Sequence, residues 1–136
     1  MRSMAFTPVH VDGLSFVETA PGQPLVRSER DFSRVVEAGL STATRSVLLY
    51  ASNLPPLFFD LSSGQAGELL QKLQNYGMRV AIVDDMRVMM SSRFGDMLAE
   101  ARRLDLLALV DTREDALSWM KANGRGGLPR SPDPLV

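Results

Sequence analysis

Cysteine is absent from this chain of 136 residues, which excludes a disulfide framework, a zinc ribbon and a thiol nucleophile. A single histidine, His10, leaves catalytic triads and His-rich metal sites without material. No stretch approaches the ~18 consecutive apolar residues of a membrane span. The opening MRSMAFTPVHVDG lacks the apolar core of a signal peptide, so the expected compartment is the cytoplasm and no membrane partner is expected. A surplus of positive charge is missing as well. Fifteen Lys plus Arg stand against sixteen Asp plus Glu, which argues against a nucleic-acid binder built on a broad basic face. Neither GxxxxGK(S/T) nor GxGxxG occurs, so no glycine-rich phosphate loop is available. No cofactor or metal is expected.

What is present is a globular composition, 45% hydrophobic and 23% charged, in a length suited to one domain with one core. Leu14-Ser15-Phe16-Val17-Glu18-Thr19 alternates apolar and polar residues, as a half-buried strand does. Pro21-Gly22-Gln23-Pro24 reads as a turn and Leu25-Val26 as a short further strand. Ser28 is placed to cap a helix whose apolar face is Phe32, Val35, Val36, Gly39 and Leu40. Val47–Ala51 is a continuous apolar run of the kind that a central parallel strand needs on two covered faces, and Arg79–Val83 and Leu106–Val110 read as two further buried strands. Between them, Ala66, Leu69, Leu70 and Leu73 mark one helical face, and Phe94, Met97, Leu98 and Ala101 another. Gly77 sits where a helix C-cap belongs. Thr112 with Asp115 opens a last helix carrying Ala116, Leu117, Trp119 and Met120, and Gly124 stops it.

Strands alternating with helices imply a single α/β domain with a mostly parallel sheet of four or five strands and about four helices. The N-terminal strand is expected at the edge, antiparallel. Residues 1–12 read as an N-terminal extension, 13–123 as the domain, and 124–136 as a flexible Pro/Gly-rich tail.

In open α/β sheets, ligands meet the loops at the carboxyl ends of strands. Three segments collect there: Asp60 to Gln65, Asp84-Asp85-Met86, and Asp111-Thr112-Arg113. Ser62 with Gln65 three residues on has the form of a capping box, in which the hydroxyl serves a free backbone N–H. The sharper reading makes Ser62 or Ser63 a phospho-acceptor, with Gly64 and Gln65 part of the same surface. A helix N-terminus would tolerate the phosphate locally, while its roughly -1.5 to -2 charge would remodel any partner surface there. Asp60, Asp84 and Asp85 could form the carboxylate cluster of a small enzyme or phospho-receiver. Against that, Asp at a strand end commonly caps the next helix. A third reading places a small anionic ligand or nucleotide at the same helix start. Met86, Met89 and Met90, beside Val88, are either packing filler or an adaptable partner surface, since thioether side chains re-pack easily.

The segment LLYASNLPPLFFDLSSGQAGELLQKLQNYGMRVAIVDD, with its LPP-x-FFDL and AGE-x-LQK strings, resembles the bacterial family of domain of unknown function 4180 over about residues 14–122. The resemblance implies a small uncharacterised bacterial protein. The element order is similar to the STAS fold of anti-sigma-factor antagonists, in which Asp-Ser-(Ser/Thr)-Gly opens a helix and its serine is phosphorylated by a partner kinase that doubles as the anti-sigma factor. Here Ser62, Ser63 and Gly64 match the last three motif positions, Leu61 occupies the Asp position, and Asp60 is displaced by one. This resemblance implies a STAS-like, non-enzymatic regulatory module with a protein partner, a kinase or anti-sigma-like regulator.

Overall fold

The computed structural model describes residues 6–26, 29–42 and 44–124. Five strands form one sheet: β1 (Thr7–Val11), β2 (Leu14–Glu18), β3 (Ser46–Tyr50), β4 (Arg79–Val83) and β5 (Leu107–Val110). Four helices accompany them: α1 (Glu29–Ser41), α2 (Gln65–Tyr76), α3 (Ser92–Arg103) and α4 (Arg113–Gly124). The spatial order of the strands is their sequence order, with β1–β2 antiparallel and every later pair parallel. The expected mixed α/β sheet is therefore what forms. Ser28 and the tail beyond Gly124 lie outside the described residues.

That order decides the layering. Right-handed crossovers that always step in the same direction put every crossover helix on one face. Accordingly α1, α2 and α3 share one apolar core, contributing Phe32, Val35, Leu69, Leu73, Phe94 and Ala101 against Val17, Val47, Leu49, Val80 and Ile82. Only α4, arriving after the last strand, lies on the other face, where Ala116, Trp119 and Met120 cover Leu48, Ala81, Val83 and Ala108. Strand β3 shows the consequence: Val47 and Leu49 enter one core, Leu48 and Tyr50 the other, so all five of its residues are buried.

Three details differ from the expectation. The antiparallel edge is N-terminal, but Thr7–Val11 makes it, in a stretch that read as a loose start, and the Leu14–Glu18 strand is interior. The two-residue Asp12-Gly13 turn closes this hairpin, with φ of 51° and 78°. Such a turn matches the twist of paired strands. Leu25-Val26 is not a strand; both N–H groups donate instead to the Asn53 carbonyl, at 3.1 and 2.9 Å. Leu40 is exposed although it falls on the apolar face of α1.

Phe58 and Phe59 belong to the core, as two large aromatics after Pro55-Pro56 require. Phe58 packs edge-on against Phe32, Phe59 and Phe94, with centroids 5.9, 5.2 and 6.1 Å away. The β3–α2 connection can therefore be irregular, three short 3₁₀ turns at Ala51–Asn53, Pro56–Phe59 and Leu61–Ser63, and still be anchored.

Candidate functional site

The carboxyl ends of β2, β3, β4 and β5 present their loops at one end of the sheet, and the predicted site residues all fall there. Ser62 is exposed, and it is not the cap of α2. Its N–H and hydroxyl both donate to Asp60 Oδ1, at 3.1 and 2.7 Å, so Asp60 caps the Leu61–Ser63 turn. Ser63 donates its hydroxyl to the Leu57 carbonyl at 2.6 Å and accepts from the Gln65 N–H at 3.2 Å. The residue preceding α2 is Gly64, with φ 80° and no side-chain cap. The chain must pass through a left-handed conformation to turn from the 3₁₀ segment into the helix, and glycine adopts it without steric cost. The Ser62–Gln65 spacing thus matched a capping box, but the helix begins three residues later than Ser62 itself.

Each acidic candidate already holds part of its own backbone or a neighbouring loop. Asp84 Oδ1 accepts from the N–H groups of Met86 and Val88, both at 3.2 Å. This holds the tight turn in which Arg87 has φ 52°. Asp85 accepts from the Ser52 N–H at 3.0 Å and from its hydroxyl at 2.6 Å. Asp60 caps the last turn of the β3–α2 connection, Asp85 ties the first turn of that connection to the β4–α3 loop, and Asp84 holds the β4–α3 loop itself. Among the described residues, no group of three or more His, Cys, Asp or Glu is placed to hold a metal ion. These are the roles that strand-end aspartates commonly take.

The methionines behave differently. Met89 is 91% exposed, Met86 60% and Met90 42%, while Val88 packs on the core and fixes the loop from below. Leu57, 56% exposed, adds a fourth large apolar side chain at the same end of the sheet. Arg87 and Arg93 flank the methionines in sequence, and both are exposed.

Two polar clusters at this end escaped the sequence reading. The first centres on Asn53, which is fully buried. Its Oδ1 accepts from the Tyr50 N–H at 2.8 Å and the Thr19 hydroxyl at 2.6 Å, and its Nδ2 donates to the carbonyls of Ala20 and Gln23, both at 2.8 Å. One side chain thereby fastens the β2–α1 loop to the end of β3. Ser52 continues the tie, accepting from the Gly22 N–H at 2.7 Å while bonded to Asp85. The second cluster is on the α4 face. Arg113 grips Glu18 with two bonds of 2.8 and 2.9 Å, and the Tyr50 hydroxyl donates to the same carboxylate at 2.9 Å. Burial pushes the Glu18 carboxyl up, but the bonds from Arg113 and Tyr50 and the guanidinium charge outweigh it and hold the group below its ordinary value. Burial, then the bond to Glu18 and its charge, push the Tyr50 phenol up to about 12. Asn53 ahead of Leu54-Pro55-Pro56 was the one visible hint, a polar residue where a buried strand stops.

The molecule is thus an α/β domain with a mixed five-stranded sheet, helices on both faces and loops gathered at the carboxyl edge. The family model described as Domain of unknown function (DUF4180) matches residues 11–120, and the chain belongs to that family. No curated protein matches the chain. Among solved structures, one provisionally assigned as an anti-sigma factor antagonist from Thermotoga maritima is similar at 18% identity and a TM-score of 0.47, covering 83% of this chain and 92% of that one. No helix among the described residues is long and apolar enough to cross a membrane.

Proposed function

We propose that this chain is a non-enzymatic regulatory module that binds a protein partner through the carboxyl end of its sheet, using the Ser62–Gln65 segment and the Met86–Met90 loop. The observation that carries the reading is the exposure of Met86, Met89, Met90 and Leu57 at that end, beside carboxylates that are each committed to a loop. Large apolar side chains grouped in contact with water mark an interaction surface more often than a stable solvent face, and methionine suits a surface that must re-pack. In this reading Ser62 is the phospho-acceptor, matching the serine of the STAS motif. Its hydroxyl is exposed and bonded to Asp60. A phosphate there would stand beside a carboxylate, and the repulsion would alter the turn that presents Leu57 and Ser63.

The test is affinity capture from the native host, with mass spectrometry for both partners and phosphoserine. Titration of the captured partner against Ser62→Ala, Ser62→Asp and Met89→Asp comes next. The reading expects the parent to bind best, Ser62→Ala to bind nearly as well, and both aspartate variants to bind at least tenfold more weakly, about 1.4 kcal/mol. Equal binding by all four proteins rejects it. The rival enzymatic reading would gain ground only if substitution of Asp60, Asp84 or Asp85 abolished an activity without loosening its loop.

A further inference from the structure

The two edges of the sheet are built differently. At β1, closure by a two-residue turn makes Val11–Leu14, Val9–Phe16 and Thr7–Glu18 the hydrogen-bonded pairs. Pro8 and His10 therefore turn their backbones outward. Pro8 has no N–H to offer, so this edge resists a further strand.

Among the described residues, nothing comparable protects β5. Its sequence is Leu-Ala-Leu-Val, without proline or charge. The bonds from Val80 N–H to the Leu106 carbonyl and from Asp84 N–H to the Val110 carbonyl fix its inward positions. By alternation, Leu107 and Leu109 direct their backbone groups away from β4. Leu107 is fully buried under its own chain, which leaves Leu109 as the open position. Beside it runs a groove of about 620 Å³ whose lining includes Leu109, Val110, Trp119, Arg102, Asp111 and Asp115.

The charges of this groove are segregated. Asp111 follows β5 and Asp115 lies in the first turn of α4, so both sit at the carboxyl end of the strands. Arg102 is in the last turn of α3, which runs back against the strands and ends at their amino side. None of the three forms an ion pair with another described residue. An acidic end, an apolar floor and a basic end, along an open strand edge, make a surface complementary to itself when turned end for end. A two-fold axis performs that operation, bringing the basic end of each groove against the acidic end of the other. We propose that the β5–α4 groove is the interface of a two-fold homodimer, whose occupant is a second copy of this chain with its β5 edge antiparallel to the first.

Sedimentation velocity on the full chain across the micromolar range tests this. The expected result is a concentration-dependent dimer that weakens as salt rises, because the paired ends are electrostatic. Arg102→Glu should raise the dissociation constant at least about tenfold, and so should Asp111→Arg with Asp115→Arg. The triple variant, with all three charges reversed, should recover the dimer. All three positions are exposed, and circular dichroism confirms that each variant is folded. A parent that stays monomeric at every concentration overturns the proposal. So does a dimer that ignores the reversals, or one that the triple variant fails to restore. Each of these results leaves the proposed Ser62–Gln65 and Met86–Met90 surface unaffected, since the groove shares no residue with those two segments.

Discussion

The Asn53 cluster and the Met86–Met90 loop lie at the same end of the sheet and are built on opposite principles. Around Asn53 every polar group of the side chain has a partner, and nothing of the residue touches water. In the methionine loop the three methionine side chains face water, and one carboxylate, Asp84, holds the backbone. The polar residues at this end thus hold the loops together, and the apolar ones are left free to meet something else. The strand-end carboxylates serve the backbone, as such aspartates commonly do. The reason lies in the loops themselves: four connections with little regular structure need their N–H and C=O groups satisfied, and Asp, Asn and Ser do this with short side chains.

If that contrast is right, substitutions should separate into large effects on folding and small ones. Phe58→Ala should cost about 3–5 kcal/mol in denaturant unfolding, because the ring is fully buried against three other phenylalanines. An unchanged midpoint would show that the 3₁₀ connection is not anchored there. Asn53→Ala should rank next at about 2–4 kcal/mol, since it strands buried groups on two segments at about 1–3 kcal/mol for each left unpaired. Limited proteolysis should then cut first in residues 20–26. A loss under about 0.5 kcal/mol would place Asn53 on the same footing as an exposed surface residue.

The Glu18–Arg113–Tyr50 cluster gives an intermediate effect with a pH signature. The folded carboxyl titrates below its ordinary value, so its contribution is present at neutral pH and is lost as pH falls through the folded value. Tyr50 adds the opposite limb: its folded value of about 12 makes the chain lose stability as pH rises past the ordinary phenol value toward 12. Glu18→Gln should flatten the acid limb of a stability–pH curve, and Tyr50→Phe the alkaline one. Curves that keep both slopes in the variants would assign them to other groups. The smallest effects belong to the exposed surface. Ser62→Ala and Met89→Ser should each move stability by no more than about 0.5 kcal/mol, measured by the same unfolding curves. A larger loss from Met89→Ser would mean that the loop packs on the domain and is not a free surface.

The chain itself determined the elements and their order. Periodic apolar faces located α2, α3 and α4, runs such as Arg79–Val83 located the buried strands, and Gly77 and Thr112 marked helix ends that the structure retains. These signals are local, because a helix face repeats within a few residues and a buried strand must be apolar on both sides. The β1 strand was less legible, for only Val9 and Val11 of its five residues are even partly buried. Tertiary structure alone decided who meets whom at the carboxyl end. Glu18 and Arg113 are 95 residues apart, Thr19 and Asn53 34, and Ser52 and Asp85 33. Nothing in the pattern of one segment encodes the hydrogen-bonding needs of another so distant. Ser62 and Gln65 kept the spacing of a cap without the role, because whether a hydroxyl meets a helix N–H depends on where the preceding turn delivers it.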